Sequence, residues 1–565
     1  MDVLIVSPPV SNFGQAAAAP SVLTAFLRSR GWDAGQWDLG IDTFHLLYCA
    51  AHLSGCRDRV AGLGADDDLL ALADRVVANT DLAKETLRRP GVGADRDAMR
   101  RALHTIDEAS MLLTASSGGS FEISDSKFMI PGAFASFDAL AEACADPDRN
   151  PFVSLFEEHV VPRLLRDRPR AVGISISYFS QLVAAITLAN VVRRCLPGIP
   201  IVMGGAYLTA TSEEIGRVPC AVLQADAVVL HDGELVLDAW LHHVLGGGAL
   251  PEHPGLFVQD GNRYRRTGAG RCEPVDLDVL PIPMWIADGL DLDRYLTPRY
   301  PVALPLSRGC YWGRCVFCNI SSQATSNYRR RAVEKAVEDI RAVVQETGCR
   351  WFDFPVDSFR PKHLRELALA LQGEGLSIEW GAEVLLDSGF RDDVIADLAR
   401  SGCRCLRFGM ESGSLSTLRS MNKSVRPEVA ARILASCHLH GIRTAVMLIV
   451  GFPLETQGQL QETYDFVESH RGNIDFLTFH RYSLVLGSPM AKDPGAYGLY
   501  LKPGKAVFSP NLPFVNTNPG GMQEDDVEDV VDAMRESLRE HFPDIGELWT
   551  VGIGGWLTFA HCCEG

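Results

Sequence analysis

Short apolar runs alternate with amphipathic segments over the first 250 residues of the chain. The apolar runs predict buried strands at residues 3–6, 32–39, 171–177, 201–205 and 227–230, and the amphipathic segments predict helices at 21–30, 181–195 and from 234 onward. Strands that alternate with helices in this way form a parallel sheet with helices on both faces. We therefore predict a doubly wound, Rossmann-like α/β domain over residues 1–250.

This alternation is interrupted between residues 43 and 168, where helical patterns such as 68–89 and 95–113 dominate. We expect a helical insertion into the sheet domain there. Residues 251–301 then predict a hairpin followed by a linker. Asp260 and Gly261 form the dipeptide that favours a tight hairpin turn, and prolines interrupt the stretch that follows.

A second strand–helix repeat begins at residue 302. It predicts strands near residues 303–307, 351–355, 378–383, 404–409, 443–450 and 475–483, with helices such as 333–346, 361–372 and 427–440 between them. Six successive units on a parallel sheet predict a partial (β/α)6, TIM-like barrel over residues 302–490, with its active site at the carboxyl ends of the strands. Residues 491–565 predict a C-terminal extension with an acidic helix at 523–542, which we interpret as a candidate substrate cap.

Length and charge narrow the classes of protein to consider. With 565 residues the chain is too long for one hydrophobic core, so two or three domains are expected. The formal net charge of -18 disfavours a nucleic-acid partner, because a phosphate backbone is met by a basic surface. The hydrophobic share of 47% and the charged share of 22% are typical of a globular protein.

The cysteines and the apolar runs predict a cytoplasmic protein. Most of the 15 cysteines are scattered singly, apart from one loop and the pairs 403/405 and 562/563, and no disulfide-framework spacing is visible. This pattern indicates a reducing compartment. Residues 1–9 carry no basic leader, and no apolar run in the sequence has the length of a membrane span, so we expect neither a signal peptide nor a membrane partner.

The loop that follows the first strand of the second repeat carries the most informative chemistry. Cys310, Cys315 and Cys318 lie within nine residues of one another, directly after Arg308 and Gly309. Three thiolates at a strand end can bind an iron–sulfur cluster, and three ligands for four irons leave one iron open. A zinc site and chance spacing are the alternatives. Structural zinc usually has a fourth ligand at finger-like spacing, which this region does not show.

The cysteine loop, the aromatic Phe317 before the last cysteine and the barrel pattern together resemble the radical S-adenosylmethionine (radical SAM) superfamily. The doubly wound domain ahead of the barrel resembles that of the subgroup that also binds cobalamin. The linker at 280–283 and the segment 328–329 are similar to that subgroup as well. One departure is the four-residue gap between the first two cysteines, where the family most often has three, and Gly313 can absorb the extra residue in the loop.

The resemblance implies a 4Fe-4S cluster on Cys310, Cys315 and Cys318, with SAM chelating the open iron and yielding a 5′-deoxyadenosyl radical after one-electron reduction. It also implies a set of SAM-contacting residues, namely Phe317, Asp357, Glu411, Ser412, Ile449 and Gly451. Asp357 belongs to a strand tip that lacks the family's usual glycine pair and acid. Glu411 can also be read as a solvent-facing acid, and residues 443–453 as a plain buried strand followed by a turn.

The same resemblance implies cobalamin at the strand ends of the first domain. The family's base-displacing signature, Asp-x-His-x-x-Gly, is absent, and its nearest approach at residues 42–45 has the wrong spacing, so we do not expect a protein imidazole as the lower cobalt ligand. We expect the corrin to lie over the small and polar residues at these strand ends, which are Ser7, Pro8, Pro9, Ser175, Ser177, Gly204, Gly205 and Gly233. The glycine pair at 204–205 is equally typical of a tight turn.

These features lead to one principal expectation of function. The chain resembles a cobalamin-dependent radical SAM methyltransferase, which implies C-methylation at an unactivated carbon of a peptide or a small natural-product intermediate, with a reductant such as flavodoxin or ferredoxin. A rearrangement or cyclisation without methyl transfer uses the same cofactors and remains an alternative. A non-catalytic cluster-based sensor is a third interpretation. The negative net charge of the chain disfavours a tRNA substrate.

Overall fold

The computed structural model describes residues 1–285, 290–320, 328–523 and 526–542. Two predominantly parallel sheets, one from each half of the chain, form the framework of the molecule. Among the described residues, no helix is both long and apolar enough to cross a membrane.

The first sheet has seven strands, in the order β2-β1-β3-β4-β5-β6-β7. They are β1 (Val3–Ser7), β2 (Ala34–Asp38), β3 (Ala171–Ser175), β4 (Ile201–Gly204), β5 (Ala227–Val229), β6 (Leu256–Asp260) and β7 (Arg263–Arg266). The first five pair in parallel. Every residue of β1 is buried, as expected for a central strand covered by helices on both faces.

Twelve α-helices accompany this sheet. They are Ala18–Ser29, Leu39–Leu47, Ala50–Gly62, Asp67–Arg88, Arg96–Ser116, Phe137–Ala145, Pro151–His159, Val161–Asp167, Leu182–Cys195, Ala206–Ala210, Cys220–Leu223 and Glu234–Gly246. Those between β2 and β3 form the helical part of the segment predicted as an insertion. Asp66 and Asp95 cap its two long helices by accepting hydrogen bonds from backbone N–H groups, as N-cap residues do.

The predicted hairpin is an extension of the first sheet. Gly261 turns the chain with φ +62°, a value that favours glycine. Strand β6 then pairs antiparallel with β5, so the sheet continues to residue 266 rather than ending near 250. The turn chemistry identifies the hairpin, but the edge to which it adds depends on contacts between distant residues.

The second sheet has six parallel strands in sequential order, which confirms the predicted repeat. They are β8 (Val302–Ala303), β9 (Trp351–Phe359), β10 (Glu379–Val384), β11 (Cys403–Glu411), β12 (Arg443–Val450) and β13 (Phe476–Arg481). The associated helices are Val333–Thr347, Pro361–Gly373, Asp392–Arg400, Leu415–Ser420, Pro427–Leu439 and Gln457–His470. Strand β8 stops before Pro305, which has no N–H for the ladder. Residues Ser307–Gly309 instead pair antiparallel with Tyr328–Arg330.

The chain after the second sheet folds back over the molecule. It contains the helix Pro489–Lys492, a short hairpin of Leu499–Leu501 with Phe514–Asn516, and the helix Asp526–Leu538. Residues 502–513, here called the strap, connect the two strands of that hairpin and reach the first domain. The Val507 N–H donates to the Phe134 carbonyl at 2.9 Å, and the Tyr207 hydroxyl donates to the Phe508 carbonyl. Of the predicted cap, residues 543–565, with the cysteine pair 562/563, lie outside the described part of the chain.

Candidate active site between the two sheets

The cysteine loop is held by hydrogen bonds to two other segments of the chain, at residues 421–422 and at Met490. The Val316 N–H donates to the Met421 carbonyl at 3.0 Å, the Met490 N–H donates to the Val316 carbonyl at 3.0 Å, and the Trp312 indole N–H donates to the Asn422 carbonyl at 2.8 Å. Gly313 has φ +58°, in the left-handed region that glycine tolerates. The extra residue of the first cysteine gap is therefore accommodated by a glycine in the conformation that glycine favours.

The three thiols lie close enough to one another for their charges to interact. Burial raises the pKa of Cys315 to about 12, and charge on Cys318 or Cys310 would raise it further. Within the described residues, no three His, Cys, Asp or Glu side chains are arranged to hold a single metal ion. Zinc draws each thiolate to about 2.3 Å from one centre. A four-iron cluster is a larger body, and the three neighbouring thiols fit it better than they fit zinc.

A buried cation beside this loop has no counterpart in the sequence predictions. Lys423 has 5% of its side chain exposed and donates to Glu411 Oε1 at 2.6 Å. Its charge lowers the pKa values of Cys315 and Cys318, against the larger effect of burial. No local pattern marks this lysine, which reaches the loop only because it follows the end of β11.

Strand β9 contributes two polar side chains to the same edge. Asp357 Oδ2 accepts a hydrogen bond from the Gly309 N–H at 2.7 Å, and burial raises the pKa of this carboxyl group. Ser358 Oγ donates to Cys310 Sγ at 3.3 Å. The backbone just before the first cysteine is thus fixed to the neighbouring strand, and Asp357 lies beside the loop, while its contact with SAM stays a prediction.

Ion pairs join the cysteine loop to the first domain. Arg308 Nη1 lies 2.7 Å from Asp232 Oδ1, and Arg308 also pairs with Glu234. Arg329 Nη1 lies 2.8 Å from Asp232 Oδ2. Asp232 is largely buried, which raises its pKa, but the two arginines outweigh that effect and hold the pKa at about 2. These four residues, here called the ionic clamp, fix the loop after β5 against the strand that leads into Cys310.

A cavity of about 460 Å³ runs between the two domains beside this clamp. Apolar side chains line one end, on β1, β4 and the helix Ala18–Ser29, and the other end reaches Gly309 and Asp357. Of the residues predicted to lie near the corrin, the cavity contacts Ser175, Gly204, Gly205 and Gly233. Gly173 lines this apolar end, and a side chain there would meet Ile5 Cδ1 at 2.8 Å.

The predicted corrin residues Ser7, Pro8, Pro9 and Ser177 are not among the residues that line this cavity. The fully buried Gln181 instead connects their loops. Its side-chain N–H donates to the Pro8 carbonyl at 2.7 Å, and its oxygen accepts from the Ser177 N–H at 2.7 Å. Gln181 thus ties the loop after β1 to the loop after β3. The sequence pattern predicts Gln181 only as the first residue of a helix.

Residues 304–467 match the family model of the Radical SAM superfamily. This part of the chain is a radical SAM domain. It is 29% identical over 320 residues to an uncharacterized methyltransferase of Pyrococcus horikoshii, and this alignment covers 55% of the chain and 66% of the relative. It is 30% identical over 199 residues to the bacteriochlorophyllide d C-12(1)-methyltransferase of Chlorobaculum tepidum, covering 34% of the chain and 42% of the relative. The chain therefore spans less than two thirds of the length of either protein.

A solved structure shares the fold of both domains. It is the radical SAM methyltransferase TsrM from Kitasatospora setae, with cobalamin and a 4Fe-4S cluster bound. The TM-score is 0.57 at 16% identity, and the match covers 89% of this chain and 80% of TsrM. The predicted combination of a doubly wound domain with a partial barrel is thereby confirmed.

The other predicted SAM contacts of the radical SAM domain lie in two different environments. Ile449 and Phe317 pack against one apolar cluster, which also contains Phe452 and Tyr482. Ser412 is fully buried, and its hydroxyl lies 2.9 Å from Thr463 Oγ1. Phe317 and Ile449 are therefore brought together, whereas the Ser412 hydroxyl already bonds the helix Gln457–His470.

Gly451 has a neighbour that the sequence did not indicate. Its φ is +81°, and a side chain there would come within 2.4 Å of Val527 Cγ2. The close approach at this glycine is therefore made by the helix Asp526–Leu538. Contact between Gly451 and adenine stays a prediction.

Glu455 in the radical SAM domain gives a testable pH dependence. It is fully buried, Oε1 lacks a hydrogen-bond partner within the described residues, and burial raises its pKa to about 8. Because the folded state holds this proton more tightly, its contribution to stability is complete below about pH 4.5 and is lost as the pH rises through 8. We expect Glu455→Gln to flatten the fall in stability over this window, by up to about 1.4 kcal/mol per pH unit. Denaturant unfolding of both proteins at several pH values measures this, and parallel profiles would refute it.

Proposed function

We propose that the protein is a cobalamin-dependent radical SAM C-methyltransferase that acts on a small-molecule or peptide substrate in the cytoplasm. The cavity between the domains carries this proposal. It extends from an apolar slot in the first sheet to Gly309, next to the first cluster cysteine. One cavity that reaches both proposed cofactor sites is what transfer between them requires. The names of the two methyltransferase relatives support the reaction type.

The residues fit the proposed groups. Cys310, Cys315 and Cys318 would hold the 4Fe-4S cluster, with SAM at its open iron near Asp357. The apolar slot lined by Gly173 would take the nucleotide tail of a base-off corrinoid, and the glycines at the strand ends would lie under its ring. When bound, the cluster and SAM supply a carbon-centred radical, and the corrinoid supplies the methyl group.

The protein's own residues perform the positioning. The ionic clamp holds the cysteine loop against the first domain, so the two cofactor sites keep one separation. Asp357 orients the backbone at Gly309 through a hydrogen bond of 2.7 Å. The strap adds hydrogen bonds to Phe134 and Tyr207 of the first domain. A one-electron reductant of the flavodoxin or ferredoxin type would reach the cluster from outside.

Transfer of label tests the reaction type. The protein is purified anaerobically, loaded with iron, sulfide and cobalamin, and given methyl-labelled SAM, dithionite and candidate substrates. Optical and electron paramagnetic spectra report both cofactors, and mass spectrometry follows the label. Absence of corrin binding would contradict the proposal, and a changed product without label would favour the rearrangement or cyclisation.

A larger side chain in the apolar slot should weaken corrinoid binding without affecting the cluster. We expect Gly173→Leu to reduce cobalamin affinity at least tenfold, about 1.4 kcal/mol, because its side chain would occupy the space beside Ile5. Gly216→Leu is the matched control, since a side chain there meets no atom within 4 Å. Spectrophotometric titration with hydroxocobalamin measures affinity, and iron content checks the cluster. Equal affinity in both variants would exclude the slot as the binding site.

A further inference from the structure

A smaller chamber adjoins the proposed cofactor cavity at the mouth of the barrel. It measures about 320 Å³ and is lined by Pro305, Ser307, Arg308, Pro355, Asp357 and Glu383. Four of these residues, namely Pro305, Arg308, Pro355 and Asp357, also line the larger cavity, so the two spaces adjoin. A substrate in this chamber would lie next to the cluster loop and to the corrinoid site.

Beneath the chamber lies a buried ion pair. Arg407 on β11 has 2% of its side chain exposed, and its Nη2 donates to Asp353 Oδ1 at 2.6 Å. The other two nitrogens of this guanidinium, Nε and Nη1, have no hydrogen-bond partner within the described residues. Asp353 thus has its counter-ion, but the donors of Arg407 are only partly used.

The negative charge of Glu383 is only partly balanced by Arg407, which pairs with Asp353. Its Oε1 lies 3.5 Å from Arg407 Nε, too far for a good hydrogen bond. The side chain keeps 44% of its accessible surface, yet burial raises its pKa, and the charges of Asp353 and Asp357 add to this. The two observations differ because many protein atoms surround the carboxyl group, yet it opens onto the chamber, where solvent reaches it.

Glu383 lies on a different strand from the residues proposed to contact SAM. Those residues lie in the cysteine loop and on or after strands β9, β11 and β12, whereas Glu383 lies on β10. Tyr178, from the loop after β3 of the first domain, lies close enough for the charge of Glu383 to raise the pKa of its phenol, in addition to the larger effect of burial. The acid of the chamber is contributed by the barrel strand β10.

We propose that Glu383 anchors the substrate through a protonated amine bound in this chamber. This rests on the proposed function, since the chamber is a substrate site only if both cofactors bind beside it. Two carboxylates, Glu383 and Asp357, remain after Asp353 and Arg407 compensate each other. Asp357 lies where the family places groups near the amino end of SAM, which leaves Glu383 to receive a second cation. A charged hydrogen bond of this kind is the stronger class in an enclosed site.

Three matched probes test the selectivity for amines. Phenethylamine, 2-phenylethanol and 3-phenylpropanoate are titrated calorimetrically into the anaerobic, cluster- and cobalamin-loaded full chain with SAM present. We expect the amine to bind at least about tenfold more tightly than either other probe. Equal affinities, preference for the carboxylate, or no amine binding at millimolar concentration would overturn the proposal.

Variants on one strand locate the effect. Glu383→Gln should abolish the preference for the amine. Glu379→Gln, at the other end of β10 and paired with Arg404, should retain it. A Glu383→Gln protein that keeps the preference would overturn the assignment. The comparison among the three probes in the unaltered enzyme stands even if that variant folds poorly. If cobalamin fails to load, the proposed function fails, whereas if it loads and the amine is not preferred, only the anchoring role fails.

Discussion

We expect Cys315→Ala to reduce SAM cleavage below detection. Two remaining thiols cannot hold a four-iron cluster with a single open iron, so the site for SAM is lost with the cluster. Cys315 is also the predicted ligand whose thiol pKa the charge of Lys423 lowers, against the larger effect of burial. Anaerobic reconstitution followed by iron determination and by quantification of 5′-deoxyadenosine measures both consequences.

Cys349→Ala is the matched control for this variant. Cys349 is half-buried and lies just before β9, at the amino end of that strand and therefore at the end of the sheet opposite the cysteine loop. It should retain iron and SAM cleavage close to those of the unaltered protein. Cleavage by Cys315→Ala at more than a trace level would show that the cluster is bound elsewhere.

We expect Asp232→Asn to produce the largest loss of stability among conservative substitutions between the domains. The substitution leaves Arg308 and Arg329 without the carboxylate that both contact, and removing one partner of a buried pair costs about 3–5 kcal/mol. Glu234 still pairs with Arg308, so the loss should fall toward the lower end of that range. Thermal and denaturant unfolding of the two proteins measure the difference.

The control for the clamp is an exposed ion pair. Glu528→Gln removes the partner of Arg481 at a site where the Glu528 side chain is 71% exposed, and such pairs contribute about 0–1 kcal/mol. Stability should also depend on pH through Asp232. Since its folded pKa lies below the ordinary value, the contribution is present above about pH 4 and is lost as the pH falls toward 2. Equal midpoints for the two variants would contradict the clamp.

Local patterns allowed most of the framework to be predicted. Strands β9 to β13 and the long helices of both halves carry apolar periodicities that survive in the structure within a few residues, because each element buries one continuous face. The first barrel strand was predicted too long, since Pro305 ends its ladder. The edge joined by the hairpin was also missed, because pairing with β5 is a contact between distant residues.

The residues of the candidate site also divide into those marked by local sequence patterns and those placed by contacts between distant residues. The cysteine loop could be singled out because its three cysteines are close together in sequence and their spacing has a chemical reason, and their role as cluster ligands stays a prediction. Lys423, Gln181 and the acids of the clamp could not, since each acts on residues far away in the chain and lies in no periodic pattern. Ser412 and Gly451 were predicted from a family motif, and the structure shows packing partners for both that a motif does not reveal.

The strap gives the molecule a second connection between its halves. The linker leads from the first sheet into the barrel, and residues 502–513 return from the barrel to Phe134 and Tyr207 of the first domain. The barrel is therefore connected to the first domain twice, by the linker that precedes it in sequence and by the strap that follows it. A hinge motion of the barrel about the linker would break the hydrogen bonds between the strap and Phe134 and Tyr207. The two halves should consequently melt as one cooperative unit, and a protease cut in the linker should leave them associated.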